Sequence, residues 1–204
     1  MSTITQLIQS RVSVNLFDPA RSLSDAQITE LADLATRSPS SFNVQNWRLV
    51  AVRTPEAKER LKKLAYGQQK VTDAAVTFIV CGALEAHEIL PRSLQPSIDA
   101  GVITQKVADG WISAARKAYG TNPQFQRDEA IRSASMAAMT LMLAAEGMGL
   151  ASGPMIGFDA AGVAREFGLA PTEVPAMLVT VGYAAPGNTG QKPRRPLAET
   201  LTIV

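Results

Sequence analysis

One run, Val71–Gly82, constrains this chain more than any other. It is apolar and rich in β-branched residues, and it reads as a central strand. A second apolar run far downstream, Ala176–Tyr183, reads as another strand, and Trp47–Arg53 alternates enough to be a third. Helix-period segments stand between these runs in irregular order. That pattern favours an α+β fold with a mixed sheet flanked by helices over a regular parallel sheet. No repeat and no interdomain linker interrupts the chain, so residues 1–204 are expected to form a single domain.

The helical segments carry their own start and stop signals. Residues 3–11 read as a short helix. Ser24-Asp25-Ala26-Gln27 is a capping box, and Ile28, Leu31, Ala32 and Ala35 follow at helical spacing, which predicts an amphipathic helix over 25–37. Thr54-Pro55-Glu56 starts another that runs to about Leu64, with a threonine cap and proline at its first turn. A helix is expected near 98–119, and the clearest long one over 125–148. The latter has a face of small residues (Ala134, Ala137, Ala138, Leu141, Ala144 and Ala145) that suits a core contact, a subunit contact or both. Gly149–Met155 reads as a Gly/Pro-rich turn. Asp159 caps a short helix that ends at Phe167, before Gly168. Residues 184–196 read as an extended arm, and Thr200–Val204 as a β-like tail.

Composition removes several kinds of function. Apolar residues make up 46% of the chain, enough for a globular core, and no apolar stretch is long enough to span a bilayer. The formal net charge of +2 gives no general hold on nucleic acid. Cys81 is the only cysteine, so there is neither an internal disulfide nor a cysteine metal cluster, and it is expected to pack as a small hydrophobe. His87 is the only histidine and sits in a polar segment, which reads as solvated surface rather than as part of a catalytic triad. Residues 1–12 lack the apolar core of a signal peptide, and a cytoplasmic location is expected.

Five polar patches could carry chemistry. Arg11-Val12-Ser13-Val14-Asn15 offers a guanidinium and a hydroxyl two residues apart, a pairing that suits a phosphate. Ser38-Pro39-Ser40-Ser41-Phe42-Asn43-Val44-Gln45 packs hydroxyls and amides between a helix and a strand; it can meet a heteroaromatic edge, or be an elaborate turn. Tyr66-Gly67-Gln68-Gln69-Lys70 places a cation just before the central strand. Ser152–Asp159 contains Gly157, which allows close approach of backbone to a flat ligand. Gln191-Lys192-Pro193-Arg194-Arg195-Pro196 is a stiff basic arm suited to a fixed anion.

In their order along the chain, these patches resemble the nitroreductase family of flavoproteins. The most specific parts are the Pro39-Ser40-Ser41-x-Asn43-x-Gln45 loop and the Gly149–Asp159 run, and the resemblance extends from Arg11 to Arg195. It implies an α+β fold with a mixed, mostly antiparallel sheet and a C-terminal arm reaching the other subunit of a homodimer. It implies FMN as cofactor and NADH or NADPH as co-substrate. The reaction implied is a two-step exchange through one pocket, with a nitroaromatic, a quinone or another small electron-poor molecule as acceptor. By the same resemblance, Arg11, Ser13, Lys192 and Arg194 match phosphate-binding positions, with Asn15 where many relatives carry a basic residue. Pro39, Ser40, Ser41 and Asn43 match the loop beside the flavin. Gln68 and Lys70 match contacts to the ribityl chain or pyrimidine edge, and Pro154, Ile156 and Gly157 the turn along the ring. Ile156 stands where some relatives have glutamate, and Asn46 where a proline is common.

No residue need act as nucleophile or acid–base catalyst under this reading, because the cofactor carries that chemistry. A cation at Lys70 would favour the anionic, reduced flavin. Two alternatives share the fold: a non-catalytic flavin carrier or sensor, and a reductase of aldehydes or enones. The variable stretch 85–125 would form the substrate lid, where Trp111, Tyr119 and Phe125 are either lid aromatics or core.

Overall fold

The computed structural model describes residues 3–204. Its centre is a four-stranded sheet built from β1 (Trp47–Val52), β2 (Val76–Ala83), β3 (Ala151–Met155) and β4 (Glu173–Gly182), in the order β1-β2-β4-β3. Every neighbouring pair is antiparallel. The expected mixture of directions is reduced to one isolated parallel bridge, between Ser13 and Ser152. β2 is buried along nearly all its length, as a strand covered on both faces must be. Cys81 lies within it, and burial, reinforced by the nearby Glu173 carboxylate, pushes its thiol up to about 12. It packs as the small hydrophobe expected of it.

Helices cover both faces: α1 (Ile4–Ser10), α2 (Asp25–Ala35), α3 (Pro55–Leu64), α4 (Lys70–Asp73), α5 (Ala86–Asp99), α6 (Gln105–Tyr119), α7 (Pro123–Gly147) and α8 (Ala160–Glu166). The caps legible in the sequence are made. Ser24 and Gln27 form the capping box of α2, Thr54 accepts from the Ala57 N–H, and Asp159 accepts from the Gly162 N–H. α7 lies directly on β2. A side chain at Gly82 would collide with the Ala130 carbonyl, so glycine there lets helix and strand touch backbone to backbone. Ala134, Ala138, Leu141 and Ala145 then join the main core beneath the sheet. Most of the small face of α7 is therefore an intrachain core contact, with Ala144 only partly buried at its margin.

Four expectations are corrected. The central strand begins at Val76 and not at Val71, because Lys70–Asp73 is a helical turn. The Gln69 amide binds the side chains of Thr72 and Asp73, which closes that turn, while Val71 is apolar because it fills the second core cluster. The region before residue 98 holds a full helix, α5, hidden in the sequence by Pro91 and Pro96 inside it. Packing offsets those prolines: Leu90 and Leu94 are fully buried in a third cluster with Ala108, Ala115 and Tyr119 of α6. His87 is buried near the start of α5, not solvated. The Gly149–Met155 turn contains strand β3, an edge position where Pro154 is tolerated.

The C-terminal tail is also different. Thr200–Val204 is exposed and joins no strand of this chain. No helix of the described residues is long and apolar enough to cross a membrane.

Candidate functional site

The site grows from the end of α1. Arg11 caps that helix, donating its backbone N–H to Leu7, and residues 12–17 then run along the sheet edge. The Val14 N–H bonds the Ser152 carbonyl at 2.9 Å. Close approach there depends on Gly153, whose Cβ would strike the Val14 carbonyl oxygen. The arm returns alongside: Phe17 bridges Ala184, and the Ala185 N–H bonds Leu16 at 2.9 Å. Between the two strips lies a small cavity of about 70 Å³, lined by Arg11, Val12, Ser13, Thr189–Lys192 and Arg194.

The chemistry of that cavity is one-sided. Arg11, Lys192 and Arg194 are donors without acceptor capacity, and Ser13 adds a hydroxyl. The Arg11 Nη1 atom is buried and has no partner among the described residues. A buried guanidinium nitrogen left unpaired is costly, and a phosphate-sized anion would satisfy it with charge-assisted bonds.

A polar band continues from this cavity. The Lys70 ammonium donates to the Asn15 side-chain oxygen at 3.1 Å, and partial burial lowers the lysine's pKa from its ordinary value. Gln68 donates its side-chain amide to the Gly157 carbonyl at 2.8 Å. Tyr66 and Gly67 turn the chain ahead of it, both at positive φ. β3 delivers Pro154 and then Ile156 and Gly157 to the same place, and Ile156 stands 79% exposed, a bare apolar side chain beside polar neighbours. Four of the five patches thus meet in one chain: 11–15, 68–70, 154–157 and 191–194.

The fifth does not meet them. The 38–46 loop packs against α5, α6 and α7 and bonds several of its polar groups there, while Asn46 Oδ1 is buried without a partner among the described residues. Ser38 pairs with Thr140 at 2.6 Å, the Tyr119 hydroxyl donates to Ser41 at 2.9 Å, and Ser93 donates to the Val44 carbonyl at 2.8 Å. Ser40 accepts from the Gln45 N–H, and Asn46 donates to the Ala83 carbonyl. Among the described residues, no hydrogen bond joins Pro39, Ser40, Ser41 or Asn43 to the band. The loop is also conformationally unusual. Phe42, Asn43 and Gln45 all take positive φ, three of the five non-glycine residues that do so among those described. Such a concentration of disfavoured backbone persists only where the surrounding structure holds it in shape.

Over residues 8–183 the sequence matches the family described as the Nitroreductase family. The chain belongs to that family. A Bacillus subtilis relative named "Putative NAD(P)H nitroreductase YodC" is 31% identical over 99% of both chains. Two solved structures superpose closely. One, "a putative nitroreductase in complex with FMN" from Exiguobacterium sibiricum, has a TM-score of 0.92 at 25% identity, covering 100% of this chain and 98% of its own. The other is CLA-ER, an enone reductase of gut-bacterial fatty acid saturation, with a TM-score of 0.85 at 25% identity, covering 100% and 98%.

As a nitroreductase-family chain, this one departs from the sequence reading in instructive ways. The family match stops at residue 183, so the Thr189–Arg194 wall of the cavity lies beyond it. Asn188, which binds Asn15, Leu16 and Ala185, was missed altogether, although Pro186-Gly187-Asn188 is a turn signal. Of the aromatics offered as lid, Tyr119 is core, with its ring stacked on Phe125 at 5.0 Å. Trp111 is half-buried and tilts against Phe42 at 6.3 Å, tying α6 to the loop.

Proposed function

We propose that this chain is an FMN-dependent NAD(P)H oxidoreductase that reduces a nitroaromatic, a quinone or a similar electron-poor molecule through one pocket. The observation that carries the reading is the cavity that Arg11 lines together with two further cations and the Ser13 hydroxyl, with one Arg11 guanidinium nitrogen buried and unpaired among the described residues. A dianionic phosphate is the group those donors suit. The relative solved with FMN supports its identity as a flavin phosphate.

The other residues take their roles from position. Arg11, Ser13, Lys192 and Arg194 hold the phosphate, and Asn15 steadies Lys70. Lys70 and Gln68 face the polar edge of the ring system, where the lysine's positive charge opposes negative charge that accumulates on reduction. Pro154, Ile156 and Gly157 lie along the ring. FMN, when bound, supplies the electron-transfer chemistry between the nicotinamide and the acceptor. The chain binds, orients and excludes water.

The working unit is a homodimer, in which Pro39, Ser40, Ser41 and Asn43 of one protomer complete the band of the other. Three features support this. The loop holds three positive-φ residues yet makes no hydrogen bond to the band of its own chain among the described residues. An apolar groove at the surface, lined by Ile4, Leu7, Leu34, Leu143 and Met148, suits a second copy. β1 pairs only with β2, leaving an open edge, while the apolar tail Thr200–Val204 lies unpaired. The arm would carry that tail to the partner's edge.

Absorbance of the purified protein tests the reading. Yellow protein that bleaches on anaerobic addition of NADH or NADPH is expected. Colourless protein that FMN cannot reconstitute would falsify it, and flavin reduced by neither nucleotide would leave a carrier instead. An enone acceptor is favoured by the exposed, apolar Ile156 and by the likeness to an enone reductase. Steady-state rates with nitro, quinone and enone substrates separate these acceptors.

A further inference from the structure

The anion cavity has two walls far apart in sequence, Arg11–Ser13 and Thr189–Arg194. The densest set of ties between the strips that carry them comes from one side chain. Asn188 stands immediately before the second wall, after a Pro186-Gly187 turn in which Gly187 takes φ +97°. Its Oδ1 accepts from the backbone N–H groups of Asn15 at 2.9 Å and Leu16 at 3.0 Å. Its Nδ2 donates to the carbonyls of Leu16 at 2.8 Å and Ala185 at 2.9 Å. All four partners fix one orientation of the amide, since a flipped amide would aim its NH₂ at two N–H donors. The side chain takes up both backbone groups of Leu16 and so acts as a short strand would, where main-chain pairing of the arm has ended at Ala185.

Little else holds the second wall. Beyond Ala185, the hydrogen bonds that tie the described arm residues to the rest of the chain come from Asn188 and from Gln191, whose amide reaches the Arg11 carbonyl at 3.3 Å. Arg194 bonds only the nearby Lys192 carbonyl. Without a tether, both arm cations would have to be ordered at the moment an anion binds, and that ordering subtracts from affinity.

We propose that Asn188 is a positioning residue for the phosphate: it holds the Lys192 and Arg194 wall against Arg11 and Ser13 before the ligand arrives. The proposal rests on the flavin reading above. It also reaches Lys70, because the Asn15 whose backbone Asn188 holds is the residue whose side chain receives the Lys70 ammonium.

FMN and riboflavin, which differ by the phosphate alone, test this directly. Both are titrated into wild-type apoprotein and into Asn188→Leu and Asn188→Ala, with flavin fluorescence as the readout and a thermal melt as a check on folding. Wild type is expected to prefer FMN. Each variant is expected to lose roughly tenfold of that preference, the effect of one or two hydrogen bonds, while riboflavin affinity stays within about twofold. Equal losses for both flavins, or a variant that does not fold, would make Asn188 merely structural and overturn the proposal. Unchanged preference beside a wild type that prefers FMN overturns it alone. A wild type that takes up neither flavin overturns the flavin reading and this proposal with it.

Discussion

The anion cavity and the 38–46 loop are both dense in polar groups, but most of the loop's groups bond within the chain and most of the cavity's cationic donors do not. In the cavity, the donors outnumber what the chain gives them, and one guanidinium nitrogen is buried without a partner. In the loop, the serine hydroxyls and the Asn46 Nδ2 group are taken up by Thr140, Tyr119, Gln45 and Ala83, Asn46 Oδ1 is buried without a partner among the described residues, and three residues take positive φ. A cavity of the first kind is incomplete without a ligand. A loop of the second kind is a finished shape, useful only to something brought against it. Polar density in a sequence does not distinguish the two, because it counts groups and not their partners.

The contrast breaks most sharply at Arg11. Arg11→Gln removes the guanidinium with the unpaired nitrogen and, on the proposed function, a charge-assisted bond to phosphate. FMN binding is expected to weaken by about 100-fold, the scale of a lost charge-assisted hydrogen bond in a desolvated site. The thermal melt of the apoprotein should hold steady or rise, since an orphaned buried group has gone. Fluorescence titration and calorimetry measure the two halves. A variant that melts early while keeping FMN affinity would show that Arg11 serves the fold and that the cavity is not a ligand site.

The loop should behave in reverse. Tyr119→Phe keeps the ring stacked on Phe125 and deletes only the hydroxyl given to Ser41. Loss of that bond should cost about 1 kcal/mol. The melt is then expected about 2–4 °C lower for a chain of this size. FMN affinity should shift by less than about fivefold, through the loop's shape alone. An affinity loss as large as that of Arg11→Gln, with no change in melting, would show that the Tyr119–Ser41 bond serves the ligand and not the loop's own shape, and would erase the distinction.

What the sequence made legible follows the same division. Caps and core faces were readable because each is a local pattern: Ser24 with Gln27, Thr54 before Pro55, Asp159 before Gly162, and the small face of α7. α5 was not, because Pro91 and Pro96 break the local rule and only contact with α6 restores it. β3 was hidden for a similar reason: Gly153 and Pro154 are poor strand formers, and their place depends on β4 on one side and residues 13–14 on the other. The candidate site residues were legible as types in local windows, and their grouping was expected only through the family resemblance. Lys70 reaching Asn15, or Asn188 reaching Leu16, is a long-range fact that no window of sequence contains.

Lys70 gives the smallest and most diagnostic effect. Its ammonium is half-buried, and desolvation lowers its pKa from the usual 10.5. The unfolded chain therefore holds that proton more tightly than the folded one. Below the folded pKa both states are charged and folding carries the desolvation cost in full; as pH rises towards 10.5 the cost is relieved, so this group's contribution to stability improves with pH. Lys70→Met removes the cost at every pH. The variant apoprotein should melt slightly above wild type near neutrality, and the gap should close on the alkaline side. FMN should undo the ranking, because the wild-type cation then faces the ring edge and its charge stabilises the complex. Melting curves at two pH values, with and without FMN, measure all four corners. If Lys70→Met stays the more stable protein with FMN bound, Lys70 belongs with the loop's internally satisfied groups and not with the cavity's waiting ones.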